Sequence, residues 1–324
     1  MKKNVRILLG ISISIVLVYF SFRNINIGRS INILISGNWI YIIPAIIFFY
    51  VSVYFRSYKW KEINRLVTNT DFRDYFNIYS SGLAINNVTA LRIGDIVKSI
   101  IVANKYKAKK VNTLLCSFID KLFDLLSLSI ILIFILVFFT SLNTNPELRN
   151  KLYILSFSVV ALFILLCVFI INIKRIFNIV KNFTNINFIH HAIKKIQNTA
   201  DDILLISHSP KTLSVILLMS IIAWILEGTS YYFLFKILNI NISYAYVIVV
   251  ASILSMSTAI PSAGGYIGTY DYIMIMLLKL SSITTSLNLI LTVVLITHFI
   301  VIVPITISGG IFFFIKKYYI NIRK

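Results

Sequence analysis

Long apolar segments recur along this chain, and each needs either a hydrocarbon environment or a large buried core. A helix requires about 20 mostly apolar residues to cross a bilayer. The 324 residues are 58% hydrophobic and only 13% charged, which is too little polar material to cover such segments in water. An intrinsically disordered chain is excluded because its hydrophobicity would be low. The sequence therefore predicts an all-α polytopic membrane protein with about eight transmembrane helices.

The predicted spans are the segments in which charge is almost absent over the required length. They are Ile7–Phe22, Trp39–Phe55, Leu114–Thr140, Leu152–Ile173, Leu213–Leu238, Tyr244–Ile260, Tyr266–Leu280 and Ile283–Ile315. The seventh is short, so residues 244–280 either cross twice or form a re-entrant pair, which would leave six crossings. The last is too long for one upright helix, and Pro304 and Gly309–Gly310 are expected to kink or break it.

Positive charge predicts the orientation of these spans. The chain has 31 lysines and arginines against 11 acidic residues, a net charge of +20, and 24 of the basic residues fall in four segments, 1–6, 56–113, 174–211 and 316–324. Basic loops mark the cytoplasmic side. We therefore expect a multi-pass protein of the cell membrane with both termini cytoplasmic. That face is expected to attract membrane lipids, especially anionic phospholipids, and no nucleic acid partner is predicted.

Two stretches interrupt the apolar pattern with glycine and polar residues, near 76–110 and 258–271. The first is predicted to form interfacial helices or a re-entrant hairpin. Irregular backbone at membrane depth is tolerated only where protein or a water-filled cavity surrounds it. Paired interrupted segments in two halves of a chain are typical of a transporter binding site. Residues 1–324 are predicted to form one integral membrane domain with no separate soluble domain.

The first candidate site combines an amide, a guanidinium, a glycine and a carboxylate in a short segment: Asn87, Arg92, Gly94 and Asp95. A guanidinium offers a fixed fork of donors that suits phosphate. Gly94 would let the backbone turn or approach a ligand closely. The alternative is a cytoplasmic turn closed by an Arg92–Asp95 ion pair.

Acidic residues inside predicted spans form the second candidate group. Asp120 and Asp124 are four residues apart and share one helix face, and Lys121 can pair with Asp124 or extend to the lipid headgroups. Glu227 lies near the middle of its span. Its expected partner is Arg92 or a hydrogen-bonding neighbour, and the alternative is a purely structural link between helices.

The third candidate group is a proline- and glycine-rich break, and its members are Pro261, Gly265, Tyr266, Gly268 and Asp271. The helix that restarts after the break has a positive N-terminus, which attracts an anionic headgroup. The alternative is a tight turn outside the membrane.

Three further residues, Arg56, Lys59 and Trp60, end the second span and are predicted to anchor it at the membrane interface. The four histidines and two cysteines have no metal-ligand spacing. No nucleophile motif is present either, so we predict no metal, no cofactor and no catalytic residue.

These motifs, in this order, resemble the flippase-like membrane domain family, which is the transmembrane region of lysylphosphatidylglycerol synthases and also occurs in free-standing form. The resemblance covers nearly the whole chain. The motifs appear as Arg56-Ser-Tyr-Lys59-Trp60, Asn87…Arg92-Ile-Gly94-Asp95, Asp120-Lys121…Asp124, Trp224…Glu227 and Pro261-Ser-Ala-Gly264-Gly265-Tyr266-Ile-Gly268-Thr-Tyr270-Asp271. The chain departs from the family pattern at Ala90 and Gly264, where proline is usual, and at Asp95 and Asp271, where glutamate is usual.

The resemblance implies a protein that binds and flips a phospholipid or an isoprenoid-type lipid, such as lysylphosphatidylglycerol, between leaflets. In the bifunctional relatives this lowers negative surface charge and gives resistance to cationic peptides. Two alternatives stay open: a component of phosphatidylglycerol lysyltransferase-type lipid modification, acting with a separate enzyme, and a non-transporting scaffold. Lysyltransferase activity itself is not expected, because segment 174–211 is too short for a domain that holds aminoacyl-tRNA.

In a flippase of this kind, Arg92 and the helix N-terminus after Gly268 are expected to hold phosphate. An amine on the headgroup is expected to meet one of four carboxylates: Asp95, Asp124, Glu227 or Asp271.

Overall fold

The computed structural model describes residues 27–65, 67–68, 71–89, 92–139, 146–171, 210–258, 264–280 and 286–315. Within these ranges the chain is helical and has no strand, which confirms the predicted all-α polytopic class. The predicted first span Ile7–Phe22 and both chain termini lie outside the described residues.

Ten α-helices form the described part of the chain. They are α1 (Ile27–Ile35), α2 (Ile42–Asn64), α3 (Phe72–Val88), α4 (Ile93–Lys105), α5 (Lys110–Phe138), α6 (Pro146–Ile171), α7 (Pro210–Ile237), α8 (Tyr244–Ser257), α9 (Thr269–Leu280) and α10 (Leu287–Ile315). Short 3-10 turns cover Trp39–Tyr41 and Gly264–Tyr266.

Four helices of this part are long and apolar enough to cross a membrane. They are Trp39–Asn64, which joins the first 3-10 turn to α2, Lys110–Phe138, Pro210–Ile237 and Asn288–Ile315. The first extends nine residues beyond the predicted end at Phe55. Because Arg56 and Lys59 find carboxylate partners inside the protein, charge does not end the helix there.

Helices α3 and α4 form a hairpin, which we call the first hairpin. At the end away from the tip, Asp74 links the two helices. Its carboxylate accepts a hydrogen bond from the Tyr106 hydroxyl at 2.7 Å and pairs with Lys105 at 2.5 Å. At about 1.5 Å per residue neither helix reaches the ~30 Å thickness of the hydrocarbon core. The hairpin therefore has the dimensions of a re-entrant element, one of the two forms expected for residues 76–110.

Helices α8 and α9 form the second hairpin. The Tyr246 hydroxyl near the start of α8 donates to the Leu277 carbonyl near the end of α9 at 2.8 Å, so the two open ends lie together. With 14 and 12 residues, these helices are also shorter than the hydrocarbon core. Their length favours the re-entrant alternative for residues 244–280 over two full crossings.

The tips of the two hairpins meet inside the protein. Arg92, at the tip of the first, hydrogen-bonds to Thr258 at the end of α8. Gly264 lies against the backbone of Asn87 and Val88, where an added methyl group would lie 3.1 Å from the Val88 carbonyl carbon. Two interrupted segments distant in sequence thus form one junction, as their shared pattern of glycine and polar residues indicated.

Helix α10 runs unbroken from Leu287 to Ile315 with Pro304 inside it, so the expected break at Gly309–Gly310 is absent. Gly309 instead allows α10 to approach the first hairpin, because its Cα faces the Ser80 carbonyl of α3 with no room for a side chain. This close contact with α3 stabilises the helical conformation of α10 at Gly309 and Gly310, which two neighbouring glycines would otherwise weaken.

Candidate functional site

A central cleft of about 90 Å³ lies where the hairpin tips face helices α2, α5, α7 and α10. Its walls carry apolar side chains, which include Phe49, Leu83, Val301, Ile302 and Ile305. Its polar side chains include Arg56, Asn87, Arg92, Lys121, Glu227 and His298. Three of these are cations and one is a carboxylate, so the lining is positively charged.

Arg92 occupies the tip of the first hairpin in a left-handed backbone conformation, with φ 53° and ψ 42°. Its Nη1 donates to the Thr258 carbonyl at 3.0 Å and to the Thr258 hydroxyl at 2.8 Å. Its Nε lies 3.5 Å from Asp95, and its guanidinium faces the Tyr266 ring at 5.6 Å. The expected Arg92–Asp95 pair is therefore present, but the stronger contact of Arg92 joins the two hairpins.

Gly94 does not provide the turn that was expected of it. The positive φ falls on Arg92, while Gly94 lies inside α4 against the Gly82 carbonyl and the Asn86 side chain. A methyl group at Gly94 would clash with both. The glycine is needed because α3 and α4 pack backbone to backbone, so its role lies in the hairpin and not at a ligand.

A buried network of alternating charges lies beside the cleft. The Lys59 ammonium contacts Asp120 at 2.9 Å and Asp124 at 2.5 Å, and Lys98 contacts Asp120 and Asp95, each at 3.2 Å. Asp120 and Asp124 thus share one helix face, as their spacing predicted. Buried charges are tolerated when each is paired, and here every carboxylate has at least two cationic neighbours.

Lys121 completes the network at its open side. Its ammonium lies 3.7 Å from both Asp95 and Asp124, and 30% of its side chain is exposed. Burial alone would raise the pKa of Asp95, which lies outside the four candidate spans. The positive charges of Lys121, Lys98 and Arg92 outweigh burial and hold the pKa of that carboxyl below its usual range. Asp95 is therefore ionised at neutral pH.

The interpretation of Arg56, Lys59 and Trp60 as interface anchors is wrong. Lys59 and Trp60 are fully buried and Arg56 is 8% exposed. Arg56 forms an ion pair with Glu227 and stacks on the Trp224 ring, with its Cζ 4.0 Å from the ring centre. The carboxylates on α5 and α7, not the lipid headgroups, hold these charges.

Glu227 consequently has a different partner from the expected Arg92. It lies on α7 opposite Arg56 of α2, the two helices that pack most extensively in the described structure. One turn before it, Trp224 donates from Nε1 to Asp124 at 3.0 Å, and Ser220 donates to the same oxygen at 3.2 Å. Helix α7 thereby connects the charge network to the cleft.

Asn87 ends α3 at the cleft. Its side-chain amide donates to the Thr306 hydroxyl of α10 at 2.9 Å. This contact fixes the tip of the first hairpin to α10.

The second hairpin supplies the opposite wall of the cleft. Gly265, Tyr266 and Gly268 have positive φ values of 68°, 61° and 96°, so this loop turns sharply before α9 begins. The Gly268 amide donates to Asp271 Oδ2 at 3.0 Å. Because the Asp271 carboxylate caps this helix end, it competes with the phosphate that was expected there. Pro261 lies outside the described residues.

His298 was missed by the sequence reasoning, which considered the histidines only as metal ligands. Its Nδ1 lies 2.9 Å from Asp271 Oδ1 and its Nε2 lies 2.7 Å from the Gly265 carbonyl oxygen. Lys98 was missed as well. For His298 the available signal was a single titratable side chain inside an otherwise apolar helix, whereas Lys98 shares its helix with Asp95 and Lys105 and gave no comparable signal.

An apolar groove of about 390 Å³ runs along α5, α7 and α8, and a side pocket of about 230 Å³ lies beside the cleft. The side pocket shares Arg92, Lys121 and Trp224 with the cleft. The groove is lined only by apolar side chains and Tyr244; its members include Ile131, Phe134, Ile221, Ile225 and Ile248. A charged site and a hydrocarbon-lined surface thus adjoin.

Comparison with known proteins agrees with this architecture. A family model described as the lysylphosphatidylglycerol synthase TM region matches residues 7–309. The chain is also similar to a UPF0104 membrane protein of Methanocaldococcus jannaschii, with 26% identity over 239 residues, 72% of this chain and 94% of the relative. The chain therefore belongs to the lysylphosphatidylglycerol synthase TM region family, and it is a multi-pass membrane protein linked to lipid modification or transport.

Proposed function

We propose that this protein binds a phospholipid or isoprenoid-type lipid and moves it between the two leaflets of the membrane. The observation that carries the proposal is the positively charged cleft at the junction of two short hairpins. In transporters, interrupted helices that meet near the middle of the membrane form the substrate site. Here such a junction adjoins a groove suited to hydrocarbon.

The headgroup phosphate is assigned to Arg92 and Lys121. Both line the cleft and the side pocket, and both have incomplete pairing inside the protein. The Lys121 ammonium is no closer than 3.7 Å to its carboxylates, and the Arg92 Nε lies 3.5 Å from Asp95 without forming a hydrogen bond among the described residues. Phosphate oxygens would satisfy these donors with charge-assisted hydrogen bonds.

The preferred headgroup is anionic. The carboxylates expected to meet a headgroup amine are already engaged: Asp95 and Asp124 by lysines, Glu227 by Arg56 and Asp271 by His298. An aminoacylated headgroup would have to displace one of these partners. A phosphate needs no such displacement, which favours lipids such as phosphatidylglycerol or an isoprenoid phosphate.

The hydrocarbon chain is assigned to the apolar groove. Leu128 of the side pocket lies one helical turn before Ile131 of the groove, and Trp224 precedes Ile225. A lipid with its phosphate at Lys121 would therefore extend its chain past the side pocket, which Asp95 and Asp124 also line, and along α5 and α7.

The test uses the purified protein in liposomes that contain a trace of phosphatidylglycerol labelled on one acyl chain. A membrane-impermeant quencher reports how fast label from the inner leaflet reaches the outer one. We expect the protein to accelerate exchange, and Arg92→Gln and Lys121→Gln each to slow it at least tenfold. Lys279→Gln is the matched control, because Lys279 is an exposed lysine outside the cleft lining. If phosphatidylglycerol exchanges no faster in liposomes with the wild-type protein than in empty liposomes, the proposal fails for this lipid.

The alternative role in lipid modification is separated by lipid composition. A flippase changes which leaflet holds a lipid and leaves the total extract unchanged. A component of a lysyltransferase-type reaction, acting with a separate enzyme, removes a lipid species from the extract when the protein is deleted. A scaffold changes neither property.

The proposed orientation places both termini in the cytoplasm of a cell-membrane protein. It rests on the basic segments and on the first hairpin, whose open end at Asp74 and Lys105 adjoins Lys107, Lys109 and Lys110. Single cysteines introduced at positions 109 and 241 should react with impermeant reagents from opposite sides of the membrane.

A further inference from the structure

His298 lies between two hydrogen-bond acceptors. Its Nε2 faces the Gly265 carbonyl oxygen at 2.7 Å, and its Nδ1 faces the Asp271 carboxylate at 2.9 Å. A carbonyl oxygen can only accept, so Nε2 must carry a hydrogen to make its contact. An ionised carboxylate also only accepts, so the second contact needs another hydrogen between Nδ1 and Asp271.

The His298–Asp271 pair must therefore hold one more proton than a neutral imidazole and an ionised carboxylate would carry together. That proton lies on Nδ1, which makes the ring an imidazolium, or on Asp271, which makes the carboxyl neutral. Without it, either Nε2 or Nδ1 would direct a lone pair at an oxygen lone pair. Both residues are largely enclosed, with 17% of the His298 side chain and 5% of the Asp271 side chain exposed, so water cannot readily relieve that repulsion.

The other bonds of the pair fix this arrangement. Asp271 Oδ2 accepts the Gly268 amide at 3.0 Å, which turns Oδ1 toward the ring. The edge-on Tyr270 ring contacts His298 with centres 5.2 Å apart. The Tyr270 hydroxyl donates to Tyr231 of α7 and is not directed at the imidazole.

The charged groups around the pair link its protonation to the binding of an anionic headgroup. The cleft that His298 lines also carries charged groups from α2, α5, α7 and the first hairpin: Arg56, Lys121, Glu227 and Arg92. Its titratable neutral groups are Tyr231, Tyr266 and Tyr270. The net positive lining disfavours an additional proton, and an anionic headgroup at Arg92 and Lys121 would neutralise it. Headgroup and proton thus favour each other's binding, and this coupling is reciprocal.

We infer that Asp271 and His298 form a proton-binding site, and that an anionic lipid crosses the membrane together with one proton held there. The coupling rests on the proposed translocation of lipid, whereas the proton site stands apart from it. The proton would neutralise one negative charge, so the combined step moves no net charge across the membrane.

The proton site is tested in the full-length protein in lipid nanodiscs. His190, His191 and His208 are replaced by Gln so that His298 alone reports in nitrogen-15 NMR. Between pH 7 and 8 a free imidazole is mostly neutral. We expect instead a ring with both nitrogens protonated, or an Nε2-protonated ring together with the infrared band of a protonated carboxyl. A neutral ring beside an ionised Asp271 at pH 7 overturns the proposal.

Two variants assign the signals. Asp271→Asn should remove one proton from the pair, so that either the ring loses its Nδ1 hydrogen or the carboxyl band disappears. His298→Gln removes the NMR signal and leaves the infrared readout of Asp271. If Asp271→Asn changes neither the ring signal nor the infrared carboxyl band, the proton resides elsewhere and the inference is wrong.

The coupling is tested with liposomes that carry labelled phosphatidylglycerol and a gradient of one pH unit. One proton per lipid predicts accumulation on the alkaline side up to tenfold, reversed when the gradient is reversed, and no accumulation with His298→Gln. Rapid exchange with equal leaflet populations in both gradients overturns the coupling. Absence of exchange under all conditions counts against the proposed translocation, and the NMR result then decides the proton site by itself.

Discussion

Arg92 binds Thr258 twice through one nitrogen, with Nη1 3.0 Å from the Thr258 carbonyl oxygen and 2.8 Å from its hydroxyl. The two residues are 166 positions apart and belong to different hairpins. Few other described contacts join the tip of the first hairpin to the end of α8. Together with the packing of Gly264 against the backbone of Asn87 and Val88, this pair holds the hairpin tips at one separation and so contributes to the width of the cleft.

Replacement of Thr258 by Val should loosen this junction. The substitution keeps the shape of the side chain but removes a hydrogen bond to a charged group, worth roughly 1.5 kcal/mol or more. We expect a lower melting temperature in detergent and an altered exchange rate. The control is Thr292→Val, because the Thr292 hydroxyl donates to the Asn288 carbonyl of its own helix. Equal effects of both substitutions would argue against a special role for Thr258.

The ion pair between Arg56 and Glu227 permits a double-mutant cycle. Glu227→Leu alone leaves the Arg56 charge buried, and removal of one partner of a buried pair costs about 3 to 5 kcal/mol. The double variant Arg56→Leu/Glu227→Leu should recover most of this loss, apart from the stacking of Arg56 on Trp224. The measurement is the unfolding free energy of the wild type, both single variants and the double variant. Additive losses would contradict the predicted coupling.

Gly309 and Gly310 offer a matched pair on α10. A methyl group at Gly309 would clash with the Ser80 carbonyl of the first hairpin, whereas at Gly310 it would meet nothing within 4 Å. Gly309→Ala should destabilise the protein by about 1 to 3 kcal/mol through overpacking. Gly310→Ala should leave the melting temperature unchanged or slightly raise it, because alanine is the better helix former. Similar losses in both variants would show that helix flexibility, and not the close contact, is what matters.

The apolar groove is tested by filling it. Ile225 lines the groove and is 38% exposed, so Ile225→Trp should occupy space assigned to the hydrocarbon chain. We expect slower lipid exchange at unchanged thermal stability. Ile307→Trp is the control, since Ile307 is also exposed but lies on α10 outside the groove lining. A normal exchange rate in Ile225→Trp would remove the groove from the lipid path.

Much of the fold follows from local sequence, because apolar length predicts a membrane helix without knowledge of its neighbours. The long helices and the interrupted segments were predictable for this reason. The end of α2 was not predictable. Basic residues such as Arg56 and Lys59 after an apolar segment resemble interface anchors unless their buried carboxylate partners are known. Glu227, Asp120 and Asp124 lie 61 or more positions away in sequence and turn that apparent boundary into helix interior.

The sequence predicted most residues of the candidate site, but it did not predict which of them contact each other. Arg92, Asp124, Glu227 and Asp271 were recognised as unusual charges in apolar surroundings. Their pairing depends on which helices pack together, and that information resides in side-chain shape across the whole chain. His298 is the clearest example of a residue that local sequence does not reveal. Its contact is with the Gly265 carbonyl, and the position of that carbonyl depends on a positive-φ turn elsewhere in the sequence.

The proline within α10 divides the helix into two segments with different neighbours. Pro304 lacks an amide hydrogen, so the regular hydrogen bond to the Ile300 carbonyl cannot form. After it, Gly309 and Thr306 attach α10 to the first hairpin. Before it, His298 attaches the helix to the second hairpin. The two segments are thus joined at a position that lacks one helical hydrogen bond, and the contacts of His298 and Thr306 on either side of it link α10 to both hairpins.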